Sequence, residues 1–290
     1  MTQLLINALT SACLSLLISV SFWLIYATTR TFYITHAATI TLGAYSCYWL
    51  TRQWGMPFPI AVLISIVVVA TTFSAIDKVL FRGLRSAPFG WVGLVASIGL
   101  YVVLQNLISL RFGDETQVLH TTPIMEGQQI GDAFVSNSQI LIVIISTFLF
   151  AGVVFLLENT KLGRAIRGVA SNPDMCILLG IDKNLVIGWA IAIGSGLAAT
   201  GGILSGLDSD INPMMGFRLL LNSVVVMIIG GASGIRCLPL AAIFLALAQH
   251  TTAYYLDAKW MDAVAFIILI VYLIWKPLGL GGRHFKKIEI

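Results

Sequence analysis

The residues best placed to act together lie between Lys161 and Asn184. Lys161, Arg164 and Arg167 recur every three residues, so a helix there carries all three on one side. Leu162, Ala165, Ile166 and Val169 fall on the other side, at i, i+3, i+4 and i+7. Asn172 then has the side chain of a helix N-cap, Pro173 suits the first helical position, and Asp174 complements the positive end of the helix dipole. Met175, Leu178 and Leu179 form a second small apolar face, and Gly180 is placed to end the helix. A cationic helix followed by a second short capped helix performs recognition rather than bond chemistry. They can rest on an anionic lipid surface or dock a cytoplasmic protein, and two caps exceed what a lipid tether needs.

A second group consists of polar side chains inside apolar stretches: His36, Gln105, Asn106, Asn222 and Gln249. Such groups either bond neighbouring helices or line a pathway, for which His36, Asn106 and Asn222 are the candidates. Ionisable residues within a membrane mark proton relays and ion sites. They are nearly absent from the apolar windows, Asp77 and Lys78 lying at a helix end, which argues against a proton- or sodium-driven carrier. Enzyme signatures are missing. There is no Gly-x-x-x-x-Gly-Lys-Ser/Thr loop for nucleotide and no His-Glu-x-x-His. His36, His120, His250 and His284 are scattered, and Cys13, Cys47, Cys176 and Cys237 lack metal-ligand spacing, so no cofactor is expected and the cysteines read as free thiols. Gly194-Ser195-Gly196 and Ser233-Gly234 lack the flanking glycines of a nucleophile elbow.

The elements that position these residues cross a membrane. The 290 residues are 58% hydrophobic and 10% charged, with mean hydropathy +0.93, against about 25% charged in a soluble domain. The clear apolar windows are Leu4–Tyr26, Phe58–Ile76, Gly90–Leu110, Gln139–Leu157, Leu185–Gly206 and Ala263–Trp275. The weaker ones are Tyr33–Leu50, Arg218–Gly230 and Leu238–Thr252. The first window has no basic leader and is too long for a signal-peptide core, so it reads as a retained helix. The expected fold is an all-α polytopic bundle of about eight or nine membrane segments, one or two of them short or broken. Such interrupted segments carry binding sites in membrane proteins, or are short helices packed inside a bundle. In Leu185–Gly206, Gly194, Ala198 and Gly202 at four-residue spacing permit close helix approach.

With nine crossings and the C-terminus inside, Arg30, Lys78, Arg82, Arg85, Lys161, Arg164, Arg167, Lys183, Arg236, Lys276, Arg283, Lys286 and Lys287 face the cytoplasm. Arg52, Arg111, Arg218 and Lys259 face outward. Thirteen against four satisfies the positive-inside rule. The external loop at about 111–138 holds Asp114, Glu115, Glu126 and Asp132. The N-terminus faces outward, unless a weak segment is re-entrant. The net charge of +4 does not suggest nucleic acid.

The Lys161–Asn184 stretch resembles the cytoplasmic loop of ATP-binding cassette importer permeases of the branched-chain amino-acid class, through Gly163-Arg164, Arg167, Ala170, Asn172 and Leu178-Leu179-Gly180-Ile181. His36-Ala37 with Leu42-Gly43-Ala44-Tyr45, Ile211-Asn212-Pro213 with Gly216-Phe217 and Ile229-Gly230-Gly231, and Pro277-Leu278-Gly279-Leu280 with Gly281 resemble further stretches of that family, in its order. Ser233-Gly234-Ile235-Arg236-Cys237 departs from it, as do Cys176 and Ala241-Ala242. The resemblance implies one transmembrane permease domain over 1–290, in the plasma (bacterial inner) membrane. It implies a coupling loop at about 160–184 in which Gly163, Arg164, Arg167, Ala170, Asn172 and Gly180 dock the ATPase. The implied partners are cytoplasmic ATP-binding subunits, a second permease, an external substrate-binding protein and the bilayer, and the implied cargo is a branched-chain or related amino acid. An ATP-independent carrier or channel, or a membrane scaffold, is the contrasting reading.

Overall fold

The computed structural model describes residues 1–85, 91–119, 127–130, 133–231 and 234–275. Outside them lie the 277–281 motif, Lys276, Arg283, Lys286, Lys287, His284, Ser233, His120, Glu126 and Asp132.

Each of the nine apolar windows forms a helix. α1 (Thr2–Thr29) and α2 (His36–Arg52) are followed by α3 (Phe58–Ile76), which runs on through a π-helical turn (Asp77–Phe81) into α4 (Arg82–Leu84). Next come α5 (Trp91–Phe112), a short antiparallel hairpin of β1 (Gln128–Ile130) and β2 (Ala133–Val135), and α6 (Asn137–Asn159). The loop helices α7 (Lys161–Ser171) and α8 (Pro173–Leu178) lead to α9 (Lys183–Asp208), α10 (Met215–Gly230), α11 (Leu238–Tyr255) and α12 (Met261–Trp275).

Among the described residues seven helices are long and apolar enough to cross a membrane, and α10 is a shorter apolar helix. The weak window Leu238–Thr252 belongs to the seven, in a helical run over Ile235–Tyr255. The 3-10 turn Ala258–Trp260 extends α12 to an 18-residue run, whereas α2 and α10 stand alone as short helices. Their 17 and 16 residues span about 25 Å at 1.5 Å per residue, less than the ~30 Å hydrocarbon layer. Exposed helix ends in lipid leave backbone groups unpaired, and both helices are accordingly packed within the bundle.

Contacts sort the segments by end. Gln3 clamps the backbone of Phe134, accepting its N–H at 3.0 Å and donating to its carbonyl at 3.1 Å. At the same end Tyr48 donates to Gln117 at 2.9 Å, and Gln117 pairs with Ile211. At the other end Arg30 donates to the Ala170 carbonyl, Arg236 meets Glu158 at 2.9 Å, and Arg85 pairs with Asp77. The chain from Thr31 to Arg52 and the chain from Ile211 to Gly230 therefore both pass from one end to the other, and neither is re-entrant.

α1 and α9 form the axis: 72% of the apolar window of each is buried, against 6% for α12. The small residues of α9 explain this. A Cβ on Gly202 would sit 2.0 Å from the Ile40 carbonyl oxygen of α2, and one on Gly194 2.9 Å from the Ser21 carbonyl of α1. On α10, a Cβ at Gly216 would lie 2.1 Å from the Ala37 carbonyl, while its N–H donates to Thr41 Oγ1 at 3.2 Å. Lipid offers helices little hydrophobic reason to associate, so contact at backbone distance supplies the packing.

Candidate functional site

The coupling loop is built from local caps. Thr160 Oγ1 accepts the Gly163 N–H at 3.0 Å and starts α7. Gly163, Ile166 and Val169 are buried on one side, with Lys161, Arg164 and Arg167 exposed on the other. Gly163 faces the bundle because a Cβ there would meet the Leu156 carbonyl at 2.0 Å. Asn172 Oδ1 accepts the N–H groups of Asp174 and Met175 at 3.1 and 3.0 Å, with Pro173 opening α8. Gly180 takes φ +77°, and the Ile181 N–H reaches back to the Cys176 carbonyl at 2.9 Å. Asp182 then caps α9 through Asn184 at 2.8 Å.

The six loop residues divide by role. Arg164, Arg167, Asn172 and Gly180 are exposed, whereas Gly163 is buried and the carbonyl of half-buried Ala170 holds Arg30. Beside the cations, Leu178 and Leu179 are 81% and 73% exposed. A capped scaffold thus presents guanidinium groups and bare leucines at the basic end of the bundle. Arg30, Thr160 and Asp182 were missed as loop anchors, although Thr160 and Asp182 each stand where a capping side chain is expected.

The three pathway candidates are not brought together. His36 is fully buried, its Nε2 2.8 Å from Ser21 Oγ and its Nδ1 without a partner among the described residues. Asn106 is exposed on α5 and bonds the Val102 carbonyl of its own helix at 2.7 Å. Asn222 belongs to a cluster. Its Oδ1 accepts from Gln249 Nε2 at 3.4 Å, and its Nδ2 donates to Asp262 Oδ1 at 3.4 Å. Asp262 Oδ2 in turn meets Arg218 Nε at 3.4 Å.

The height of this cluster refines the sequence reading, which counted Arg218 among the outward-facing cations and began the last window at Ala263. His250, next to Gln249, lies 2.8 Å from Ser11, and the carbonyl of Ser223, next to Asn222, accepts from Ser19 at 2.9 Å. Ser11 and Ser19 flank the middle of the α1 apolar stretch, so the cluster sits near mid-height. Its two charged side chains are 76% and 46% exposed. Arg or Asp facing lipid at that depth costs roughly 2.5–3.5 kcal/mol on insertion scales.

From the outer end down to Ser11 and His250, a polar cavity of about 430 Å³ opens between α1, α6, α9 and α11, lined also by Asn7, Gln139 and Asp208. Gln139 bonds Asn7 at 3.2 Å across it.

Residues 4–273 match the family model described as branched-chain amino acid transport system, permease component. The chain is 27% identical to the high-affinity branched-chain amino acid transport system permease protein BraD of Pseudomonas aeruginosa, over 97% of this chain and 95% of that one. It is 25% identical to the corresponding LivH of Escherichia coli K12, again over 97% and 95%. A probable LivH of Methanocaldococcus jannaschii is 22% identical, over 95% and 91%. These matches run the length of the bundle and include both short helices and the capped loop: the chain belongs to the branched-chain amino acid permease family and is a permease of the ATP-binding cassette importer class.

Proposed function

We propose that the chain is the membrane-spanning subunit of an ATP-driven importer that carries branched-chain or related amino acids handed over by an external binding protein. The basic end faces the cytoplasm, as the positive-inside rule requires, and with it the C-terminus. A second permease completes the translocating unit, and two ATP-binding subunits dock on the coupling loop. Arg164, Arg167, Asn172 and Gly180 shape the docking surface, while Gly163 and Ala170 hold it to the bundle. The ATPase acts by binding two positions of this loop with unequal free energy, and that difference shifts the bundle between its inward and outward states. His36, buried at Ser21, bears on the path by holding α2 against α1, Asn222 through the polar cluster, and Asn106 from the open face of α5.

The observation that carries this reading is the capped loop at the basic end, in a chain whose relatives are named as permeases of branched-chain amino acid systems. The test is purification from the native host followed by uptake of labelled L-leucine into vesicles. A co-eluting ATPase and binding protein, with uptake that requires ATP, is the expected result. Replacing both Arg164 and Arg167 by alanine is expected to remove ATPase co-purification and uptake together. Uptake that persists without nucleotide or ATPase would sink the proposal in favour of an ATP-independent carrier or channel.

A further inference from the structure

Among the described residues, Arg218 and Asp262 form the one ion pair near mid-height; the other two, Arg85–Asp77 and Arg236–Glu158, lie at the basic end. The pair is backed by two amides, Asn222 and Gln249, and Gln249 is tied in turn to the Met261 carbonyl at 3.3 Å. It stands on the outward side of α10, between α5, which reaches α10 through the stacked rings of Tyr101 and Phe217 at 5.4 Å, and α12. Both charged side chains stay largely uncovered in the single subunit. Charged side chains within a membrane face a bundle interior or a water-filled cavity rather than lipid, so this side of α10 turns toward the second permease and the aqueous path between the two.

We infer that Arg218 and Asp262 form a transient site for the zwitterionic head of an α-amino acid on its way through the permease. The chemistry matches in pairs. A guanidinium receives a carboxylate, and the Asp262 carboxylate with the Asn222 carbonyl oxygen receives an ammonium group. An ion pair at 3.4 Å with exposed faces can part for a zwitterion without leaving either charge alone, because the incoming head supplies one counter-charge to each partner. Gln249 holds Asn222 and the first turn of α12, so it is a positioning residue. This inference rests on the proposed importer function and adds the residues that would handle the solute.

The experiment uses the complete importer in proteoliposomes, with labelled L-leucine as probe. Wild-type uptake driven by ATP is established first, so that failure at that stage counts against the proposed function and not against this site. Arg218→Gln and Asp262→Asn are then expected to lower uptake by about tenfold or more, because each removes the counter-charge for one end of the zwitterion. Subunit assembly and ATP hydrolysis stimulated by the binding protein persist, and Arg218→Lys restores part of the transport. Full uptake in both neutral variants overturns the inference, and so does a fall in ATP hydrolysis that matches the fall in uptake. Where a neutral variant fails to assemble, Leu221→Cys, one position from Asn222 and made after replacement of the four native cysteines, decides the matter. Reaction with a charged aqueous thiol reagent supports the inference. No reaction in any nucleotide state means that the face is sealed, and overturns it.

Discussion

The coupling loop and the mid-height cluster both gather charge, but they are assembled differently. The loop is a local object: Thr160, Asn172 and Asp182 each cap a helix from within three residues, and the cations follow helical spacing. The cluster draws on α10, α11 and α12, and its members are up to 44 residues apart, Arg218 against Asp262. Its position depends on where α10 begins, which is set by the close approach of Gly216 to α2. A local device can lose one part and keep its outline, whereas an assembled one fails when its seat is lost.

The largest effect expected from that contrast is at Gly216. Gly216→Val drives side-chain atoms into the Ala37 backbone, which cannot move aside, and overpacking of this kind costs 1–3 kcal/mol and occasionally more. We expect little folded protein in detergent, measured by size-exclusion chromatography and thermal unfolding; a stable, transporting variant would break the claim that the cluster depends on this seat. Next comes Gly163→Val, where the obstacle is the Leu156 carbonyl. The bundle should still fold, because the loop lies at its edge, while uptake and ATPase binding are lost.

Leu178 and Leu179 test the surface of the loop rather than its attachment. Changing both to serine should leave thermal stability unaltered and lower ATPase co-purification by about tenfold, equivalent to 1.4 kcal/mol of contact energy. Unchanged affinity would leave recognition to the arginines alone. The smallest effect is assigned to Asn172→Ala. Loss of an N-cap costs typically ~1 kcal/mol, so α8 frays and uptake falls by severalfold, with amide hydrogen exchange rising in residues 173–178 only. Protection lost across α9 as well would show that the loop is not the local object described above.

The same contrast governs what could be read in the amino-acid order. Asn172-Pro173-Asp174 and Gly180 announce α8 because capping is decided within one turn. The nine apolar windows announce nine helices for a similar reason, since the length and apolarity of a span belong to that span alone. Height in the bundle is a tertiary quantity. Asp262 looks like a loop residue because the apolar run starts at Ala263, yet α12 begins against Gln249, more than a turn before α11 ends at Tyr255. Nor does composition tell that Asn106 bonds its own helix while Asn222 bonds two others, for both are single amides in apolar stretches.

α1 touches both regions. Its inner end holds the coupling loop through Arg30 and Ala170, its middle meets α10 at Ser19, and its outer end grips the hairpin through Gln3. A rigid helix held at Ser19 is a lever with arms of about 15 Å to Thr29 and about 25 Å to Thr2, at 1.5 Å per residue. A push on the loop would arrive at the outer hairpin reversed in direction and enlarged in the ratio of those arms. Spin labels at the two ends of α1, compared with and without nucleotide, would read that ratio, and equal displacements in the same sense would show that the helix slides instead of pivoting.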